Sequence, residues 1–338
     1  GDVSIGLSFS GSNIPSGDKC EIKNIYIRKN DTYINTTGDH GMYFLGMTKC
    51  AIKNIKVDGN WSTSATYSIK TRDCHDNTWF NVYCKTFRVT ADNNRINPRD
   101  TLRNKITNLT CDELQLFKDP LGIVQDLLFE NLRVNNSIDS TSIDVESVKA
   151  TGDIHIGNTG DIRLDGFTFI NADIDIPNMT QSTTVFRYGL IAKNSVFKQD
   201  VRVTNSDTQL FNCELKNDLV INSTGGTTNL SMHNTFVQGG FTMNSGGTRI
   251  AIANITNTTI NSSENSTVNL NPNQKKYRFL AFNNVVYDIL DVWQSIFTIW
   301  LNQSTTKKSL NNAEAENGKT NLLKSLFIKT SFFSKNLL

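Results

Sequence analysis

The stretch CAIKNIKVDG, Cys50 to Gly59, sets one Asn between two short runs in which apolar and polar residues alternate. The phrase returns along the chain. Aligned on the Asn, it reads Asn24-Ile-Tyr-Ile27, Asn54-Ile-Lys-Val57, Asn81-Val-Tyr-Cys84, Asn108-Leu-Thr-Cys111 and Asn131-Leu-Arg-Val134, at spacings of 30, 27, 27 and 23 residues. Self-similarity at such a period is the mark of a solenoid, a propeller or an array. Within each unit the apolar period is two, which is that of a strand. Asn tolerates left-handed backbone angles and hydrogen-bonds locally, so it suits a sharp corner between two strands.

Stacking one unit per coil brings successive corners to about 4.8 Å, the strand spacing of a sheet, and lets the Asn side chains bond along the axis. The third residue after each Asn is then an interior column: Ile27, Val57, Cys84, Cys111 and Val134. Cys84 and Cys111 fall on neighbouring turns and read as core filling in preference to a disulfide. The second residue after each Asn (Tyr26, Lys56, Tyr83, Thr110, Arg133) faces outward. The second half continues with corners at Asn171, Asn194, Asn212, Asn234 and Asn254, at spacings nearer 20 residues. The longer insertions therefore lie in the first half, where per-coil loops gather into a binding surface.

Composition narrows the function classes. The 338 residues carry a formal charge of +2. Residues 303–338 hold six Lys and two Glu, so the tail is +4 and the rest −2. No Arg cluster interleaved with aromatics marks a nucleic-acid surface. The six Cys form no Cys-x-x-Cys pair and no zinc-like spacing with the four His. The opening residues show no charged-then-apolar leader, which fits a processed or leaderless protein. From Val285 the period changes: Val285, Val286, Ile289, Val292, Trp293, Ile296, Phe297 and Trp300 lie on one helical stripe interrupted by Asp288 and Asp291. The expected organisation is a solenoid over 1–275, a capping or oligomerisation helix within 276–301, and a polar linker with a basic amphipathic tail over 302–338. No stretch reads as a transmembrane span.

With its repeated strand, turn, strand and Asn corner, GDHGMYFLGMTKCAIKNIKVDG (38–59) resembles the right-handed parallel β-helices of the pectin-lyase-like superfamily. The resemblance covers about residues 20–270 and implies an all-β, single-stranded parallel β-helix of roughly ten coils. Members include polysaccharide lyases, hydrolases, phage tailspike depolymerases and non-enzymatic adhesins, and the inserted coils look most like the tailspike branch. That branch implies an extracellular location on a virion or cell surface, a polysaccharide partner, and a homo-trimer or other homo-oligomer. It implies no cofactor, or Ca²⁺ in a lyase-type site.

No Gly-x-Ser-x-Gly, His-Glu-x-x-His or P-loop is present. Glycoside hydrolysis needs two carboxylates flanking the bond. Elimination from a uronic acid needs a base and a cation to neutralise the substrate carboxylate. In this superfamily the groove follows one strand face, here expected to align Met42-Tyr43-Phe44 with Tyr67-Ser68-Ile69, Phe87-Arg88-Val89 and Leu114-Gln115-Leu116. The candidate catalytic residues are Asp39, His40, Asp58, Asp73, Asp76 and Arg88. The candidate substrate-binding residues are Tyr43, Trp61, Tyr67, Arg72, His75 and Gln115, and no metal ligand is assigned. The chain lacks an Asp-Asp pair like that of the polygalacturonase-like hydrolases. Asp153, Asp161, Asp165, Asp173 and Asp175 read as a solvated strand face ahead of a Ca²⁺ ladder. Two readings stand: a polysaccharide-degrading surface protein, and a non-catalytic adhesin or fibre of the same fold.

Overall fold

Fifteen described residues other than Gly hold a left-handed backbone, and ten of them are Asn: 24, 54, 81, 108, 131, 171, 194, 212, 234 and 257, with φ of 49–58°. A left-handed angle costs an L-residue about 1–2 kcal/mol. Asn offsets this by hydrogen bonding, and here the bonds run between coils. Asn54 Nδ2 donates to Asn24 Oδ1 (2.9 Å), Asn81 to Asn54 (3.1 Å), Asn108 to Asn81 (3.0 Å) and Asn131 to Asn108 (2.9 Å).

The computed structural model describes residues 5–10, 20–29, 40–59, 67–91, 100–118, 123–139, 145–146, 148–157, 162–164, 167–177, 184–185, 189–204, 206–223, 228–245 and 251–260. Beyond these it describes the strand backbones Ser266–Leu270, Phe279–Asn283, Val286–Tyr287, Leu290–Trp293, Thr298–Asn302 and Thr305–Thr306. Every regular element among the described residues is a strand. The fold is a parallel β-solenoid, in two compact units, Gly1–Gln199 and Asp200–Leu338.

In the first unit one parallel sheet holds Glu21–Arg28, Ala51–Asp58, the leading parts of Thr78–Ala91, Lys105–Lys118 and Leu128–Asp139, then Val148–Ile156 and Phe167–Asp175. A second holds Ile5–Ser10, His40–Leu45, Tyr67–Arg72 and the trailing parts of the same three long strands. A third is narrow: Thr101–Leu102, Val124–Gln125 and Val145–Glu146. In-register pairing stacks like positions into columns. Inward columns such as Ile52, Trp79, Ile106 and Phe129 are at most 2% exposed. The Trp79 ring meets Phe44 edge-on at 4.8 Å and Phe87 at 5.4 Å, which ties the first sheet to the second. Cys84 and Cys111 stand in register as free, fully buried thiols, and burial pushes both well above the ordinary thiol range.

The ladder breaks between Asn131 and Asn171. Gly152 takes the next corner position at φ 73°, and a Cβ there would lie 2.2 Å from Asn131 Oδ1. An extra residue enters the strand at this point, and Asp153 N–H donates to Asn131 Oδ1 (3.0 Å) in place of an amide. The column resumes with Asn194 donating to Asn171 (3.1 Å).

In the second unit, Val201–Thr204, Leu219–Ser223, Phe241–Ser245, Ser266–Leu270 and Leu290–Trp293 form one parallel sheet. Thr208–Phe211, Thr228–His233, Ala251–Thr256, Phe279–Asn283 and Thr298–Asn302 form another. Asn234 donates to Asn212 (3.2 Å). Here a small polar residue follows the corner, is buried, and donates back to the carbonyl before the Asn: Cys213 to Phe211 (3.4 Å), Thr235 to His233 (3.2 Å) and Thr258 to Thr256 (3.0 Å).

Two expectations change. The last corner is Asn257, not Asn254; Asn254 lies inside Ala251–Thr256, and only Asn257 is followed by the small polar residue. The helix expected from Val285 gives way to strands wherever that stretch is described, at Val286–Tyr287, Leu290–Trp293 and Thr298–Asn302. A short apolar run satisfies both periods, and here pairing with the preceding coil decides it. The remainder of that helix, and the tail over 302–338 apart from Asn302 and Thr305–Thr306, lie outside the described residues. No helix among the described residues is long and apolar enough to cross a membrane.

Replacing Asn81 by Ala removes two inter-coil bonds and leaves Ala in the left-handed region. Urea unfolding should show a loss of about 2–4 kcal/mol, while Asn81→Gly, which keeps the backbone angle without strain, should lose about half as much. Equal losses would mean that the backbone angle plays no part.

Candidate functional site

Alternation decides what the second sheet presents. In His40–Leu45 and Tyr67–Arg72, Met42, Phe44 and Ile69 are buried without exposure, and Thr71 is inside with them. Tyr43 and Lys70 therefore point outward, and in-register pairing lines them up with Arg88 and Gln115. His40 and Tyr67 pair at the start of the same strands. The result is one row, Tyr43, Lys70, Arg88 and Gln115, with the buried His40 and Tyr67 packed against it.

The row is held by ring–cation contacts. Lys70 Nζ lies 5.5 Å from the Tyr43 ring centroid and 5.9 Å from that of Tyr67. The Arg88 guanidinium stands 4.5 Å over the Tyr67 ring, and its Nη1 donates to the Tyr67 hydroxyl and to Gln115 Oε1 (3.3 Å). His40 stacks on Tyr67 at 5.5 Å and tilts against Tyr43 at 5.6 Å. The His40 Nδ1 accepts the Tyr67 backbone N–H (3.3 Å), so Nε2 carries its proton in the neutral ring. Burial raises the Tyr43 phenol above its ordinary value, and the Arg72 charge and hydrogen bond oppose that. Arg72 Nε lies 3.9 Å from the buried carboxylate of Asp73.

Four of the candidates, Tyr43, Arg72, Arg88 and Gln115, thus meet on one face, and two more, His40 and Tyr67, are buried against it. Lys70 joins them and was missed, because the expected alignment slid Tyr67-Ser68-Ile69 by two residues against its neighbours. Ser68, which the expected alignment set beside Tyr43 and Arg88, is fully buried. The inward pairing of Ile69 with Met42 and Phe87 was the available signal. Glu113 was also missed; it sits on the outward parity of Gln115, in register with Thr86.

The other candidates go elsewhere. Asp58 ends a first-sheet strand, where it receives Lys56 Nζ (2.9 Å) and the Tyr26 hydroxyl (3.0 Å). Asp76 sits at a left-handed corner, gripped by Arg103 at 2.7 and 3.0 Å, which holds its carboxyl below the usual range. That corner column runs Lys49, Asp76, Arg103, Asp126, a ladder of alternating charge. Asp73 occupies a further left-handed position. His75 bridges Thr48 and Leu102 in the narrow sheet, and burial lowers its pKa. Asp39 and Trp61 lie outside the described residues.

Of the second acidic group, Asp173 takes Lys198 (2.9 Å), and Asp175 takes His155 Nδ1 (3.0 Å) and Gln199 (3.2 Å). Asp161 and Asp165 lie outside the described residues. Among the described residues no three His, Cys, Asp or Glu side chains converge as a metal site. No protein family, curated protein or solved structure matches the chain.

Chemically, the face offers three cations, Lys70, Arg72 and Arg88, about the part-exposed Tyr43 phenol, with the buried Tyr67 ring beneath Arg88. It is suited to an anionic group laid against aromatic rings. Stability that depends on neutral Tyr43 is whole below the ordinary phenol value of 10.0 and falls as pH rises through the raised one. The difference in phenolate absorbance between the unsubstituted chain and Tyr43→Phe isolates this titration. In an Arg72→Gln background it should move further up; a downward move would contradict the assigned cause.

Proposed function

We propose that the protein is a surface β-solenoid of the pectin-lyase-like, tailspike-like type that binds an acidic polysaccharide along the second-sheet face of its first unit. The observation that carries this reading is the row Tyr43, Lys70, Arg88 and Gln115 with Tyr67 beside it. A sugar ring stacks on Tyr43, and Lys70, Arg72 and Arg88 neutralise uronate or sulfate groups along the strand. Adjacent coils repeat on the strand spacing of about 4.8 Å, so the row extends in one direction, as a polymer ligand requires. The tailspike reading carries with it an extracellular setting and a homo-oligomer, a trimer first.

The same face bears on cleavage. Hydrolysis takes two carboxylates across one bond. The described carboxylates among the candidates are dispersed to Asp58, Asp73 and Asp76, and two of these carry strong ion pairs of their own. Cations fit elimination from a uronate better than hydrolysis: Lys70, Arg72 and Arg88 neutralising the substrate carboxylate would acidify the neighbouring C–H. The adhesin reading is the outcome in which the polymer binds and is left whole.

Binding of polygalacturonate, alginate, hyaluronan and heparin would be measured beside neutral dextran, with product read as reducing ends and as unsaturated-uronate absorbance, with and without EDTA. At least one acidic polymer should bind, less tightly as salt rises. Lys70→Ala or Arg88→Ala should weaken it about tenfold each. Equal binding of dextran, or no effect of either substitution, would contradict the proposal.

A further inference from the structure

The first sheet carries a different row on its outer side. Tyr26, Lys56, Tyr83 and Thr110 stand in register on successive coils. Tyr26 is 58% and Tyr83 49% exposed, the two most exposed of the large apolar side chains described. Between them Lys56 Nζ lies 5.3 Å from both ring centroids. Its charge is met by Asp58 at 2.9 Å, and the same carboxylate oxygen accepts the Tyr26 hydroxyl at 3.0 Å. The two rings are therefore braced rather than loose, at a spacing of two coils, about 9.6 Å.

Beside this row runs a shallow groove of about 450 Å³, lined by Asn54, Asn81, Asn108, Lys56, Tyr83 and Thr110 among others. Its floor is the amide ladder. Each ladder bond uses one of the two N–H donors of one amide and one lone pair of the next. An amide has two of each, so Asn54, Asn81 and Asn108, which line the groove, each keep one donor and one acceptor outside the ladder. Paired donors and acceptors repeating in line, beside braced aromatic rings and without net charge, match a chain of hydroxylated rings. They do not match an anion, because Lys56, the cation lining the groove, is already met by Asp58, and Arg133, next in register after Thr110, is not among the lining residues.

We infer that this groove is a second glycan-binding strip, specific for a neutral polysaccharide whose sugar rings stack on Tyr26 and Tyr83 while their hydroxyls bond to the Asn54–Asn81–Asn108 amides. It is separate in residues and in ligand charge from the cationic face of the second sheet. Braced rings lose little freedom on binding, which favours them as a stacking platform.

The test is native electrophoresis of the full chain through gels containing hydroxyethylcellulose, dextran, galactomannan or xyloglucan. Retardation by at least one of these neutral polymers is expected, unchanged by added salt. Tyr26→Ala/Tyr83→Ala should weaken it about tenfold, and Lys70→Ala/Arg88→Ala should leave it as it was. Both tyrosines are exposed, so the double variant should keep the far-ultraviolet circular dichroism of the unsubstituted chain. Retardation by none of the four, retardation equally strong in the tyrosine variant, or retardation abolished by salt would each overturn the inference.

Discussion

A single amide in a left-handed corner sets the geometry of ten of the described turns. The Asn holds the backbone at φ near +50 to +58° and hands its hydrogen bond to the Asn of the neighbouring coil. That bond does two things at once. It offsets a backbone angle that an L-residue otherwise avoids, and it locks each coil against sliding along the next. Register in a parallel sheet has a period of two residues between faces, so a corner that fixes the register also fixes which side chains meet water. The Gly152 turn shows the constraint from the other side: without the amide, an extra residue enters and the ladder has to start again at Asn171.

Both outer rows of the first unit follow from that lock. Each interleaves cations with tyrosines at the strand spacing, so the side chains brace one another through ring–cation contacts. Their composition differs, however. On the first sheet Asp58 answers Lys56; on the second Lys70, Arg72 and Arg88 gather about Tyr43 and Tyr67, with Asp73 3.9 Å from Arg72. One scaffold thus presents a neutral polar groove on one sheet and a cationic aromatic strip on another.

The corners were legible in the amino acids because the phrase around the Asn carries its own alternation. Nine of the ten expected second- and first-half corners hold left-handed angles, and the interior and exterior columns beside them fall where alternation puts them. Asn254 misled because Asn257 stands three residues on, and only the buried Thr258 identifies the corner. The second sheet was harder to read. No corner Asn marks its strands, so the alignment of Tyr67–Arg72 had to cross an insertion and slipped by two residues, hiding Lys70. The acidic string around Asp73 and Asp76 looked like a loop rich in catalytic groups. It is instead a pair of left-handed positions, with Asp76 a rung in an alternating charge ladder that composition alone does not reveal.

Register is therefore the claim on which both binding faces rest, and engineered cysteines measure it directly. Residues directly opposite on neighbouring parallel strands are about 4.8 Å apart, within disulfide reach, whereas a two-residue offset is not. Under mild oxidation Lys70→Cys/Arg88→Cys should cross-link, and Ser68→Cys/Arg88→Cys should stay reduced. Cross-linking of the second pair and not the first would place Ser68 opposite Arg88, take Lys70 out of the row and contradict the account.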